Sequence, residues 1–412
     1  MRDISFFQRI LHLGDSWKVT SLDCDEESKT IRIRVEFVRG SQFPCQSCGQ
    51  LSSSVYDHRE RQWRHLNIFE YRCYLVGDIP RIMCSRCGVV KQVKIPWSEP
   101  YMRYTQSFME YVLILLTKMS IKEVEEVAGI NWKTVESILE CAVKRGLKRR
   151  DLSDITQIGV DEISRRRGHK YFTLVYDLMK ERVIWVGKDR TKETLPEFFK
   201  FMGEERSERI KIVCCDMWDP YLHAIDKYIP KATVVFDKFH VKKLINEAMD
   251  KVRRQEQRKL QEDNISLLKK TRYIFLKNPE NLTERQEVTF DELQKHQLKT
   301  LRAYNLKELF KYIWDFTSVE SAREFFKKWF WKATHSRLEP MREVAHTLKR
   351  HLEGIIAYAD YRVTNSYVEG MNNKIKAIVH KAYGFRTTRC FKNAILFHCG
   401  KLNYSNLPTQ MG

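Results

Sequence analysis

Three acids stand out for the chemistry they could do together. Asp161 closes the run "IGVD", Asp216 closes "IVCCD", and Glu369 is the lone carboxylate between Asn365 and Lys392, a span that carries six Lys and Arg. Both aspartates follow apolar runs that read as strands. If those two strands are neighbours, the carboxylates meet at the C-terminal edge of a sheet, where sites in α/β folds tend to form. Two carboxylates ~4 Å apart repel by about 1 kcal/mol in water and about 4 kcal/mol at an effective dielectric of 20, so the pair calls for a cation. Magnesium (or manganese) meets the need, since it takes oxygen ligands from one or two carboxylates plus substrate phosphate. Two such ions ~4 Å apart activate a water or a 3′-hydroxyl and stabilise the leaving oxygen in an in-line displacement at phosphorus. A third acid completes such a site. Glu369 is the candidate, because a helix that only bound phosphate through Lys374, Lys376, Lys381 and Arg386 would gain nothing from a carboxylate. Taken alone, it is equally explained as a first-turn acid favoured by the helix dipole.

The cysteines suggest a second metal. "CQSC" (Cys45, Cys48) and "CSRC" (Cys84, Cys87) are two pairs about 35 residues apart. Each pair can aim two thiolates at one ion, and four sulfurs close a tetrahedral sphere, so this would be one structural zinc with no open position for water. His58, His65 and Cys73 lie between the pairs as possible substitute ligands. Arg59, Arg61, Arg64 and Arg72 share the interval, which suggests that this module touches phosphate.

The elements that must position these groups follow from periodicity. Residues 30–44 alternate as a strand before the first cysteine pair, and "YRCYLVGDIPRIM" reads as another before the second. Residues 105–146 are helical: Ser120 and Glu123 form a capping box, "GIN" makes a turn, and "WKTVESILECAVKR" follows, the pattern of a helix-turn-helix. In that reading Asn131, Lys133 and Thr134 lie near base edges in a major groove. From about 155 the period changes to strands, helices alternate with two more strands up to "ATVVFD", and residues 239–360 read almost wholly as charged amphipathic helix. A second capping box is expected at Thr317 and Glu320. The final segment, 365–400, is helical with a bend at "YGFRTT". The expected domains are therefore 1–98, a zinc-binding module; 99–150, the helix-turn-helix; 151–240, a mixed-sheet catalytic core; 241–360, an all-helical stretch; and 361–412, the rest of the core with the Glu-bearing helix.

Composition narrows the partners. The 412-residue chain has a formal net charge of +20, spread over several segments, and 43% hydrophobic residues. Such a chain can build cores and calls for a polyanion, of which nucleic acid is the commonest for a soluble protein. No apolar run approaches the roughly 18 residues of a membrane span, and no secretory leader is read at the N-terminus, so no membrane partner is expected. The cysteines are expected to stay reduced in a cytoplasm.

"GVDEISRRRGHKY", "CCDMWDPY", "VVFDKFHV" and "NSYVEGMNNKIKAIVHKAYGFR", in that order, resemble the blocks of insertion-sequence transposases of the IS-L-three family. The resemblance covers nearly the whole chain, because that family also carries a four-cysteine zinc module and a helix-turn-helix ahead of these blocks. It implies a bacterial DDE-type enzyme, cytoplasmic and acting at the nucleoid. It implies a multidomain α/β chain whose ribonuclease-H-like core is interrupted by a large all-helical insertion, with Asp161, Asp216 and Glu369 as the catalytic triad. The step of 153 positions from Asp216 to Glu369 agrees with such an insertion.

The expected activity is cleavage and joining of double-stranded DNA at an element's terminal inverted repeats, with two magnesium or manganese ions. Both DNA ends must be held, so a homodimer or larger assembly is expected. The rivals are a non-catalytic zinc and helix-turn-helix regulator and a structure-specific nuclease on the same fold. Around the triad, Asp237 caps a helix or assists the site, His240 packs beneath it or contacts DNA, and Trp218 stacks on a nucleotide. Arg165, Arg166 and Arg167 grip phosphate beside it. Glu162 points to the opposite face of the strand from Asp161. Trp314, Trp329 and Trp331 could hold a flipped base but fit a helical core better.

Overall fold

The computed structural model describes residues 2–166, 170–362 and 366–405. It forms two compact units. One runs to Arg150 and takes in Arg386–Phe397 and the residues from Leu402; the other is Asp151–Phe385 with His398–Lys401. The zinc module and the helix-turn-helix thus share one unit, and the segment expected whole in the core, 361–412, is divided between the two.

In the first unit, helix α1 (Arg2–Ile10) precedes a sheet of β1 (Trp17–Asp25), β2 (Thr30–Phe37), β5 (Val55–Arg64), β6 (Arg72–Met83) and β7 (Val90–Gln92), with a small hairpin of β3 (Phe43–Pro44) and β4 (Leu51–Ser52). The order is β1-β2-β6-β5, and β7 pairs with β6. Alternation buries Ile33 and Val35 of β2 against Trp17, Trp63, Leu75 and Trp97. Trp97 meets Trp17 and Trp63 edge to face, with centroids 4.8 and 5.5 Å apart.

Helices α2 (Gln106–Lys118), α3 (Ile121–Ala128) and α4 (Trp132–Arg149) then pack on one core that includes Phe108, Val112, Val124, Val135 and Leu139. The expected capping box is present: Ser120 accepts from the Glu123 amide, and Glu123 accepts from the Ser120 amide. Helix α3 ends at Gly129, and Asn131 caps α4, which completes the helix-turn-helix.

The second unit is built on β8 (Gln157–Arg166), β9 (Lys170–Asp177), β10 (Arg182–Lys188), β11 (Ile212–Cys215) and β12 (Thr233–Phe236), in the order β10-β9-β8-β11-β12. The first three are antiparallel; β11 joins β8, and β12 joins β11, both in parallel. All four residues of β11 are buried, as a central strand covered on both faces requires. Helices α5 (Thr194–Met202), α6 (Glu204–Ser207) and α7 (Asp219–Tyr228) contribute Leu195, Phe198, Phe199, Tyr221 and Ile225 to its core.

After β12 the chain is helical: α8 (Lys238–Glu262), α9 (Arg272–Leu276), α10 (Glu284–Gln294), α11 (Lys299–Phe310), α12 (Val319–Thr334), α13 (Glu339–Arg350), α14 (Leu352–Ile356) and α15 (Tyr358–Tyr361). The long α8 packs on α11 and α13 through Val241, Ile245, Met249 and Val252, one stripe at helical spacing. Trp314 and Trp329 are buried in this core, whereas Trp331 is exposed and stacks on His335. The second capping box is displaced by one residue. Ser318, not Thr317, caps α12 by accepting from the Ser321 amide at 3.2 Å, which leaves Glu320 as a first-turn acid. The Glu-bearing helix α16 (Ser366–Lys381) and α17 (Thr388–Cys399) close the chain, separated by the expected bend.

Candidate active site and metal centre

Two acids sit on adjacent parallel strands. Asp161 lies in the middle of β8 instead of at its end, because antiparallel pairing with β9 carries the strand on to Arg166. Ile212 pairs with Gln157 and Cys214 with Gly159, so the register carried on by two residues sets Asp216, just past β11, level with Asp161. Each carboxylate is anchored the same way. Asp161 Oδ1 accepts from the Glu162 amide at 2.8 Å, and Asp216 Oδ1 accepts from the Met217 amide at 2.7 Å. That leaves each Oδ2 to a side chain: Asn372 Nδ2 donates to Asp161 Oδ2 at 2.7 Å, and an Arg190 amino group donates to Asp216 Oδ2 at 3.3 Å.

Helix α16 brings the third acid. Glu369, Asn372, Asn373 and Lys376 form one stripe at i, i+3, i+4 and i+7, and all four line a cleft of about 580 Å³ that Asp161, Asp237 and His240 also line. Asn372 is buried, and its oxygen accepts from the Tyr176 hydroxyl at 2.5 Å, which fixes the amide so that its nitrogen faces Asp161. Asp237 caps α8 by accepting from the Phe239 amide and lies 3.3 Å from His240 Nδ1. Burial pushes the Asp161 carboxyl above its ordinary range, and the adjacent Asp237 carboxylate pushes the His240 imidazole above 6.5.

Glu162, expected on the opposite face of β8 from Asp161, lines the same cleft, because it is drawn in by partners at the mouth of the sheet. There it accepts from the Tyr221 hydroxyl and pairs with Arg190 Nε at 3.1 Å, while burial raises its pKa. Arg190 also lies over the Trp218 ring, 4.5 Å from its centroid, so that face of the indole is already covered.

The other expected contacts divide. Lys376 faces the cleft, but Lys374 donates to the His398 carbonyl at 2.9 Å, on a different side of α16, and Lys381 is exposed. Arg386 stacks over Trp132 at 4.9 Å. Asn131 spends its oxygen on the Thr134 amide and hydroxyl, and Lys133 is exposed. Arg167 and the side chains of Arg165 and Arg166 lie outside the described residues. Sequence reading missed Arg190, Asn372, Tyr176 and Tyr221. The only available signal was the three-residue step from Glu369 to Asn372.

The cysteine pairs converge. Cys45 Sγ lies 3.7 Å from Cys87 Sγ, Cys48 Sγ lies 3.5 Å from Cys84 Sγ, and all four lie within 4.8 Å of one another. A tetrahedral zinc with Zn–S of about 2.3 Å requires sulfurs about 3.8 Å apart, so the set fits a structural zinc. Each pair is followed by a glycine at positive φ, Gly49 at 75° and Gly88 at 67°, which lets the chain fold back with that glycine's amide on the first cysteine's carbonyl. The Ser47 amide pulls the Cys45 thiol down to about 6 and the Cys87 amide lowers Cys84, whereas the neighbouring Cys84 thiol helps to push Cys87 up to about 11. His65 is half-buried and hydrogen-bonded to Thr105, and Cys73 is buried in β6; neither belongs to the cluster. Among the described residues it is the one set of three or more such ligand atoms drawn together this closely.

Comparison with known proteins agrees along the chain. Residues 41–87 match the zinc-finger of transposases IS204/IS1001/IS1096/IS1165, residues 93–141 match the helix-turn-helix domain of transposase family ISL3, and residues 158–395 match the DDE transposase model of that family. The transposase for insertion sequence element IS1001 of Bordetella parapertussis is 31% identical over 350 residues, 84% of this chain and 86% of the relative. The transposase for insertion sequence element IS1557 of Mycobacterium tuberculosis is 29% identical over 416 residues, 94% of this chain and 93% of the relative. No helix among the described residues is long and apolar enough to cross a membrane. With zinc ribbon, helix-turn-helix and DDE domain in order, the chain belongs to the ISL3 family of insertion-sequence transposases.

Proposed function

We propose that this transposase binds the terminal inverted repeats of its element through the zinc ribbon and helix-turn-helix, and cleaves and joins DNA at Asp161, Asp216 and Glu369. The observation that carries this reading is the Asn372–Asp161 hydrogen bond at 2.7 Å. It ties the helix bearing Glu369, one turn away, to the strand bearing the first aspartate. The strand order β10-β9-β8-β11-β12, antiparallel and then parallel, supports a ribonuclease-H-like core. Helices α8 to α15, between β12 and α16, then correspond to an insertion in it.

The donor chemistry fits magnesium or manganese: carboxylate oxygens only, two of them on neighbouring strands and the third on the same cleft as the first. Asp161, Asp216 and Glu369 would hold the divalent ions, whose charge would activate a water or 3′-hydroxyl and steady the leaving oxygen. The protein's own groups orient that site. The Glu162 and Met217 amides fix the two aspartates, Asn372 aims Asp161, and Lys376 offers a positive charge to DNA phosphate along the cleft. The acids hold cations and do not attack phosphorus, so no covalent protein–DNA intermediate forms. Cleavage and joining at paired ends require two or more copies of the chain.

Labelled element ends incubated with a target plasmid and magnesium test this. Joining by the wild type, lost in both Asp161→Asn and Glu369→Gln, is the expected result. Full joining by either variant would refute the assignment. Cutting without joining would identify a nuclease, and end binding without either a regulator.

A further inference from the structure

Arg190 places a positive charge where a divalent cation is needed. Its Nε lies 3.1 Å from Glu162 Oε1 as an ion pair without hydrogen-bond geometry, an amino nitrogen donates to Asp216 Oδ2 at 3.3 Å, and the guanidinium carbon sits over Trp218. The other Asp216 oxygen accepts from the Met217 amide, which leaves Oδ2 as the oxygen that Arg190 and a cation would contest. At Asp161 the equivalent oxygen is held by Asn372, a neutral amide that can share it. A guanidinium cannot share in that way, because a dication on Asp216 Oδ2 would sit beside a fixed positive charge.

We infer that Arg190 is a positioning residue that competes with the cation for Asp216 Oδ2 and lets go of it when the cation binds there, with Glu162 as the fallback partner. The inference rests on the reading of Asp161, Asp216 and Glu369 as cation ligands. Glu162 is built for this task. It is the β8 residue directly after Asp161, it is mostly buried, and one oxygen is steadied by the Tyr221 hydroxyl, which itself lies 3.2 Å from Thr173 Oγ1. Trp218 keeps the guanidinium plane in place while one of its two ion pairs opens. Glu162 is therefore a partner of Arg190 and not a fourth metal ligand. Metal loading is then a swap of one cation for another at Asp216.

Opposite shifts follow for the two members of the pair. Manganese binding to the zinc-loaded full-length protein, followed by calorimetry, is expected to tighten by about fivefold in Arg190→Gln, the factor one part-exposed ion pair is worth. In Glu162→Gln the guanidinium loses its fallback and stays on Asp216, so binding is expected to weaken by about the same factor. The double variant, with no guanidinium to displace, is expected to follow Arg190→Gln.

Arg190→Gln binding manganese no more tightly than the wild type would overturn the inference. So would a double variant that stays weak, because that result makes Glu162 a ligand. Should Arg190→Gln not fold, Arg190→Lys carries the test: a shorter single-point donor that cannot span both acids must also bind manganese more tightly than the wild type. Asp161→Asn separates the two levels. If it binds manganese like the wild type, the carboxylate site itself is wrong; if it loses manganese while Arg190→Gln and Glu162→Gln are unchanged, only the swap is wrong.

Discussion

Asn372 donates to Asp161 across 211 positions of sequence, and its own oxygen is held by Tyr176 of the neighbouring strand. A buried amide with both ends committed is an orienting device, and it explains why an asparagine stands one helical turn beyond Glu369. Asn372→Ala is expected to lower strand transfer by about 10- to 100-fold, the usual cost of removing a partner that orients a metal ligand. Tyr176→Phe is expected to cost less, because Asn372 keeps its donor on Asp161 when the hydroxyl is gone. Single-turnover joining assays rank the two variants, with thermal melts to confirm folding. Wild-type joining by Asn372→Ala would refute the orienting role.

The His240–Asp237 contact gives a pH signature whose sign is fixed. The imidazole's pKa is raised above 6.5 in the folded protein, mainly by the Asp237 carboxylate 3.3 Å from its Nδ1. Its stabilising contribution is therefore fully present below the unfolded value and is lost as pH rises through the raised folded value. His240→Gln should melt below the wild type at pH 6 and converge with it by about pH 9, once both side chains are neutral. The Asp161 pKa is raised as well, by burial, so its effect runs the same way: metal-free stability declines as this carboxyl ionises. Protons and manganese then compete at the cleft, and manganese affinity should rise with pH. Melting curves from pH 5.5 to 9, with and without manganese, check both statements. A His240→Gln deficit that persists unchanged at pH 9 would contradict the assignment.

Zinc should be held independently of the carboxylate site. Metal analysis of the purified protein should find about one zinc per chain, lost when Cys45 and Cys84 are replaced by Ser, because two remaining thiolates cannot close a tetrahedral sphere. The first unit relies on that ion to join the β3–β4 turn to the β6–β7 turn, so its loss should lower the first unit's melting transition and abolish end binding. Asp161→Asn should keep its zinc. If the double cysteine variant also retains zinc, the four-thiolate site is refuted.

Much of this was readable from the chain because long periodic segments state their own type. The five strands of the second sheet, the helix-turn-helix with its Ser120 cap, and the helical stretch after "ATVVFD" all lie where alternation and 3.6-residue spacing put them. The misreadings have local causes. Asp161, a polar residue closing an apolar run, reads as a strand end, but pairing with β9 decides where β8 stops. Thr317 and Ser318 both have capping chemistry, and only the helix start at Val319 chooses between them. Arg190 follows a strand in an aperiodic turn, so nothing in the sequence linked it to Glu162 and Asp216. The Tyr176–Asn372 pair spans 196 positions, a relationship that exists only after folding.

The lysines of α16 give the last prediction, because the structure separates residues that the sequence treats alike. Lys376 lies on the cleft stripe with Glu369 and Asn372, whereas Lys374 donates to the His398 carbonyl and is committed within the protein. DNA affinity falls with salt at about 0.9 log units per released counterion per decade, so a lysine on phosphate leaves its mark on that slope. Lys376→Ala should weaken end binding and reduce the slope by about 1. Lys374→Ala should leave the slope unchanged and instead lower thermal stability, as expected for a lost internal hydrogen bond. Fluorescence anisotropy on element ends over a salt series measures both quantities. If Lys374→Ala carries the slope change and Lys376→Ala does not, DNA runs along the other side of the helix, and the cleft lined by Asp161 and Glu369 is not where phosphate lies.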